Sequence, residues 1–171
     1  GALGFEIRAQ AFAFNTNDEI NNMTFNNYRI LNKSTFRLTN TYFSTWFDPD
    51  LGNYTDDIIG CDIPRGLGYV YNADNNDEGP IGYGFNPPSV AMDFFQGPFA
   101  DYFDGLDNDR DGCVDGVRDA NGVCQPENPA TGLNERIIMS GFMYYNAGNA
   151  ATGDPRNASE FYNYMQSRWR N

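Results

Sequence analysis

Residues 5–11 alternate strictly between apolar and polar side chains, with Phe5, Ile7, Ala9 and Ala11 set against Glu6, Arg8 and Gln10. A period of two predicts a strand with one buried face. The phase breaks at Phe12, Ala13 and Phe14, which predicts a bulge or a switch to burial on both faces. A turn follows at Asn15-Thr16-Asn17-Asp18. Residues 23–31 and 35–47 predict two further strands, separated by the turn Asn32-Lys33-Ser34. In the second of these, Phe43 and Phe47 fall on one face and Tyr42 and Trp46 on the other. A strand apolar on both faces belongs in the middle of a sheet.

The pattern changes over residues 48–98, where Gly, Pro, Asn and Asp recur every few positions. Short apolar pieces at 66–71 and 89–95 predict short strands joined by elaborate loops, as at one end of a β-sandwich. Residues 99–131 form an acidic, Gly-rich insert with almost no periodicity, and a strand is expected to resume over 135–145. One helix is expected near the C-terminus. Asn157 is placed to cap it, Glu160 lies three residues on as in a capping box, and Pro155 precedes both. Phe161, Tyr164, Met165 and Trp169 then share one face, the signature of a helix packed on a sheet rather than of an aromatic ligand stripe. The expected fold is mainly β: an antiparallel β-sandwich with long calcium-stabilised loops and one C-terminal helix. The 171 residues suit a single domain, 1–171, carrying the insert at about 99–131.

Composition sharpens this picture. Fourteen Phe, eleven Tyr and two Trp set the chain apart from a disordered acidic tail. No apolar run is long enough for a bilayer-spanning helix. The formal charge is −12, and Lys33 is the only lysine, so no basic face exists for nucleic acid and anionic membranes are disfavoured. Cations are the natural partners. Aspartate outnumbers glutamate 17 to 6, and short oxygen donors are the ligands that calcium prefers. Histidine is absent, which removes Ser-His-Asp and Cys-His nucleophile chemistry and His-containing zinc sites. The start, Gly1-Ala2-Leu3-Gly4, has no signal-peptide character, and both ends read as cuts in a longer protein.

The strongest motif spans 104–116. Asp107, Asp109 and Asp111 recur at alternate positions, Gly112 permits a sharp turn, Asp115 returns, and Asp104 precedes them. Carboxylates packed so closely repel unless a divalent ion neutralises them. The opening matches an EF-hand loop, but its twelfth position is Arg118, where a bidentate Glu is required. The spacing instead resembles the calcium loops of thrombospondin type 3 repeats. A solvated acidic loop is the plain alternative. Cys113 and Cys124 bracket the neighbouring turn-rich segment and are expected to form a disulfide, which leaves Cys61 over.

A second, weaker metal candidate is Asp48, Asp50, Asp56 and Asp57, although Asx-turn capping explains the same residues nearly as well. Residues 74–79 read as a plain polar turn. Asp56, Asp57 and Asp93 would be the carboxylates of a glycoside hydrolase, but calcium accounts for the clusters more economically. Tyr42, Trp46 and Tyr69 are candidates for a sugar-stacking platform.

A long ordered series of motifs carries a resemblance. It includes Asn17-Asp18-Glu19-Ile20-Asn21-Asn22-Met23-Thr24-Phe25, Tyr42-Phe43-Ser44-Thr45-Trp46 and Asp48-Pro49-Asp50-Leu51-Gly52. Asp56-Asp57-Ile58-Ile59-Gly60-Cys61-Asp62, Gly66-Leu67-Gly68-Tyr69, Asp93-Phe94-Phe95-Gln96-Gly97-Pro98 and Phe161-Tyr162-Asn163-Tyr164-Met165 continue it. Across nearly the whole chain these resemble a region of large surface or secreted proteins of Bacteroidota exported by the type IX secretion system. The resemblance implies an extracellular or cell-surface location and supplies no reaction. The expected role is a structural or adhesive module, possibly an assembly subunit, with other domains or surface proteins as partners. A carbohydrate-binding module is the alternative, and a glycan-active hydrolase comes third.

Overall fold

The computed structural model describes residues 4–169. The extreme start, read above for the absence of a signal peptide, lies outside them. The chain forms two compact units, Gly1–Thr41 and Tyr42–Asn171. Among the described residues the regular structure is mostly strands, in several small antiparallel sheets, with one short α-helix.

The first unit is a ribbon of β1 (Phe5–Ala13) and β2 (Thr24–Asn32). Its register runs unbroken from Phe5↔Asn32 to Ala13↔Thr24 and Phe12, Ala13 and Phe14 are exposed, so neither the bulge nor the burial on both faces expected at 12–14 is present. Cross-strand packing accounts for the continuity. Phe12 stacks on its partner Phe25 with centroids 5.4 Å apart, and Phe14 meets both rings edge-on. Alternation correctly indicated a strand, yet the expected buried face is missing, because most of both strands is exposed. Asp18 caps a 3-10 turn at Glu19–Asn22 by accepting the Ile20 amide.

The second unit begins where a central strand was expected, and residues 35–47 contain none. Asn40 lies in the left-handed region at φ 51°, which interrupts an extended run. Phe43, Trp46 and Phe47 are exposed rather than covered. Regular structure resumes with β3 (Asp57–Asp62), β4 (Leu67–Asn72) and β7 (Ser89–Asp93), which form one sheet in the order β3-β4-β7. The Tyr and Val side chains of β4 suit a central strand, and Val70 is buried. Gly60 makes room for the ring of Tyr69 opposite, where a Cβ would lie 2.3 Å from it. Between β4 and β7 the chain makes a two-residue pair, β5 (Asn76–Asp77) with β6 (Gly84–Phe85).

The acidic insert contains a small hairpin, β8 (Gly116–Arg118) with β9 (Cys124–Pro126). The expected strand at 135–145 is absent; only Arg136 bridges to Phe99. That segment is spent on side-chain and loop contacts rather than a ladder. Helix α1 (Ala158–Met165) forms as expected, with Asn157 accepting the Glu160 amide at 3.1 Å. Glu160 in turn accepts the Arg156 amide at 2.8 Å. The helix buries Glu160 and Tyr164, while Phe161 stays exposed and Trp169 lies beyond its end. Tyr164 packs on Tyr145 and Trp169 and donates to the Gly153 carbonyl at 2.6 Å. These partners lie in irregular segments, so the helix face is covered without a strand beneath these contacts.

Candidate metal centre

Buried side chains in this chain are as often acidic or amide as apolar. Leu51, Val70, Ala100, Cys113 and Tyr164 are buried, and so are Asn72, Asp77, Glu127, Asn134, Glu135 and Glu160. Of the four buried carboxylates, Glu160 has Arg156 as counter-charge. Among the described residues Asp77, Glu127 and Glu135 form no ion pair. Burying an unpaired carboxylate costs several kcal/mol, on the order of what one small domain has to spare. Asp77 and Glu127 accept backbone amides instead.

The acidic loop shows how its residues are divided. Asp104 accepts the Leu106 amide at 2.9 Å and the Asn108 side chain at 3.2 Å. Asp111 accepts Cys113 N–H at 2.8 Å and Arg118 N–H at 2.6 Å. Both carboxylates shape the backbone. Asp107 receives the Asp111 and Gly112 amides at 3.1 and 3.0 Å, Asp109 shares the Asp111 amide, and Asp115 receives Gly105 at 2.8 Å. Gly112 makes the expected sharp turn at φ 90°, a backbone conformation that a side chain would strain. Arg118, at the position an EF-hand gives to Glu, donates its Nε to the Asp111 carbonyl at 2.9 Å. The disulfide Cys113–Cys124, with Cα atoms 5.6 Å apart, ties the loop to β9.

Two glutamates from outside the loop complete the cluster. Ligand oxygens of Asp107, Asp109 and Glu135 all lie within 4.8 Å of one another, and so do those of Asp115, Glu127 and Glu135. Oxygens on opposite sides of a calcium ion are about 4.6–5.2 Å apart, so either group can close around one cation. Glu135 belongs to both. It is 1 % exposed; Oε1 accepts the Asn108 amide at 3.1 Å, and Oε2 has no hydrogen-bond partner. Glu127 accepts Phe103 N–H at 2.6 Å and Glu135 N–H at 3.4 Å. The neighbouring cation cannot help, because Arg136 sits over the Phe99 ring at 3.4 Å and donates to the Gly97 carbonyl.

Electrostatics match this geometry. Burial pushes the Glu135 carboxyl above its ordinary range, and the Asp109 and Glu127 charges push it further against the Asn108 amide. Asp109 is raised likewise, by burial and then by the Asp111 and Asp107 charges, against the Asp111 amide. Carboxylates held so close either keep a proton or share a cation.

Glu127 and Glu135 escaped the sequence reading. Glu127 sits in the insert that has almost no periodicity, Glu135 opens the segment expected to be a strand, and the one available signal was the rarity of Glu in an Asp-rich chain. In the second candidate, Asp48 and Asp50 are exposed, while Asp57 accepts Leu51 N–H at 3.1 Å. Asp77, read only as part of a polar turn, is fully buried there. Asp74 does make that turn, accepting the Asn76 amide at 2.8 Å.

The aromatic candidates have separate settings. Tyr42 meets Tyr162 edge-on, Trp46 donates its indole N–H to the Tyr145 hydroxyl, and Tyr69 lies across Gly60 beside Tyr71. Asp57 and Asp93 pair with opposite ends of β4, Asn72 and Leu67. Five residues of strand separate them by about 17 Å, well beyond the roughly 5–9.5 Å that paired glycosidase carboxylates need.

No protein family, curated protein or solved structure matches the chain.

Proposed function

We propose that this chain is a calcium-stabilised structural or adhesive module of a secreted or cell-surface protein. One observation carries the calcium reading: Glu135 is buried, belongs to both carboxylate groups, and leaves Oε2 without a donor. All the donors are oxygens, the set that calcium takes in six- to eight-fold coordination. A cation there would tie residue 135 to loop 104–115 and the 127 region, which the β8–β9 hairpin already holds side by side. The disulfide fits an oxidising compartment, and among the described residues no helix is long and apolar enough to cross a membrane. The resemblance to exported Bacteroidota proteins supports the same location. Exposed rings such as Phe36, Trp46, Phe85 and Phe95 offer contact area to neighbouring domains or surface proteins.

The test is thermal unfolding in calcium and then in chelator, with bound metal measured by elemental analysis. An unchanged melting temperature together with no bound calcium would overturn the reading.

A second reading, a glycan-binding module, draws on Trp46, which is 66 % exposed and oriented by its hydrogen bond to Tyr145. Glycan-array binding that is lost on Trp46→Ala favours it. An inert array combined with self-association of the chain favours the structural role.

A further inference from the structure

The five carboxylates gathered at Glu135 do not converge on one point. Among the described residues they fall into two groups of three, Asp107 with Asp109 and Asp115 with Glu127, each closed by Glu135. A single calcium ion needs all its oxygens within roughly 5 Å of one another, and neither group takes in both pairs. The arrangement is two centres with one side chain in common.

The backbone keeps the pairs apart. Asp107 and Asp109 precede the Gly112 turn, where both carboxylates accept the Asp111 amide. Asp115 follows the turn, and its carbonyl accepts the Glu127 amide at 3.0 Å, one step beyond the Gly116↔Pro126 end of the β8–β9 hairpin. Glu135 is inserted between the pairs. Its own N–H donates to the Glu127 carboxylate at 3.4 Å, and its Oε1 accepts the amide of Asn108, the residue between Asp107 and Asp109.

Capacity and charge both favour filling the two centres together. A carboxylate offers about four lone-pair positions, and on Glu135 the Asn108 amide uses one, while Oε2 is buried without a protein partner. That orphaned oxygen points to a ligand in a way that an acidic cluster alone does not. Among the described residues none of the five carboxylates forms an ion pair. Arg118, in the adjoining hairpin, spends its guanidinium on the Asp111 and Gly122 carbonyls. One divalent ion leaves three of the five negative charges uncompensated; two ions leave one.

We infer that two divalent ions of the calcium type bind here at once, bridged by the Glu135 carboxylate, one held with Asp107 and Asp109 and the other with Asp115 and Glu127. The inference rests on the calcium reading above and adds to it the number of ions and a bridging ligand. Waters and the second oxygens of the carboxylates fill the remaining positions of each ion. Losing a residue of either pair touches one ion. Losing the Glu135 charge touches both.

The test counts calcium bound per chain, by elemental analysis after dialysis and by calorimetric titration. It compares the unaltered chain with Asp109→Asn, Glu127→Gln, their double variant and Glu135→Gln. Each replacement keeps an oxygen for the backbone amides that the carboxylate holds. The unaltered chain should bind two ions. Asp109→Asn and Glu127→Gln should each keep one, and the ion retained shows that the variant is folded. The double variant should keep none. Glu135→Gln should weaken both ions by about 10-fold or more, because ligand charge tunes calcium affinity over decades, while its circular dichroism in chelator matches that of the unaltered chain. One ion in the unaltered chain overturns the pairing and leaves the calcium reading standing, whereas none overturns both. The pairing also fails if the double variant still holds an ion, and the bridge fails if Glu135→Gln weakens only one of the two.

Discussion

Glu135 accepts the Asn108 amide at 3.1 Å through Oε1 and keeps Oε2 buried without a donor. A residue 27 positions downstream therefore shapes the middle of the acidic loop and supplies its most deeply buried charge. The loop, read alone, is a row of aspartates. Closed by Glu135, it has a floor.

Calcium should stabilise the folded chain by mass action. At 100 times the dissociation constant, one site adds about 2.7 kcal/mol, and chelator removes it. For a chain of this size that corresponds to roughly 5–10 °C in melting temperature. Scanning calorimetry with calcium and with chelator checks the size of the shift.

Glu135→Gln should separate charge from shape. The amide keeps an acceptor for Asn108 while removing the buried charge, so in chelator the variant should be as stable as the unaltered chain or more so. In calcium it should lose most of the ion-dependent gain, about 2 kcal/mol or more at the same calcium concentration. Denaturant unfolding under both conditions decides this.

The pH dependence follows from the raised carboxyls of Glu135, Asp109 and Asp57. A carboxyl raised in the folded state binds protons that the unfolded chain has already released, so stability must fall as pH rises. Without calcium, stability should be fully retained below the unfolded values of 4.5 for Glu and 3.8 for Asp and decline above them. Asp119, held below its ordinary value by the Val123 amide and Gln125, works in the opposite direction. Calcium should abolish or reverse the decline by occupying the deprotonated sites. Denaturation midpoints between about pH 4 and 7, with and without calcium, test both signs.

Reducing Cys113–Cys124 should cost about 2–3 kcal/mol from loop closure, given the short separation. It should also weaken calcium binding, because Asp111 and Cys113 share the turn that the bridge anchors. Calcium titration in reductant is the check. An affinity unchanged by reduction would show that the loop holds its shape without the bridge.

Gly97→Ala should be among the more damaging single substitutions. A Cβ there would lie 1.7 Å from the Ile137 carbonyl oxygen, which is backbone and cannot rotate away. Forced repacking costs about 1–3 kcal/mol and occasionally more. The damage should reach calcium binding too, because the 97–100 segment pairs with Glu135 through the Ala100 amide and with Ile137 through Pro98. Circular dichroism melts and a calcium titration read the two effects together.

What the sequence determined on its own was local. The alternation at 5–11 gave β1, β-rich pieces gave β4 and β7, and Asn157 with Glu160 gave the start of α1. Each depends on side chains a few positions apart, and short-range periodicity encodes those relations. The disulfide Cys113–Cys124 and the Gly112 turn were legible for the same reason.

The rest was decided at long range. The apolar runs at 35–47 and 135–145 looked like strands, but a strand needs a partner edge and these segments have none beyond the Arg136 bridge. Chemistry followed the same division. The aspartates of 104–115 were visible as a group, whereas Glu127, Glu135 and Asp77 look ordinary in sequence. Burial without a counter-charge makes them significant, and burial is a property of the folded chain. Loop 104–115 supplies the charge; the tertiary structure decides where that charge has to be neutralised.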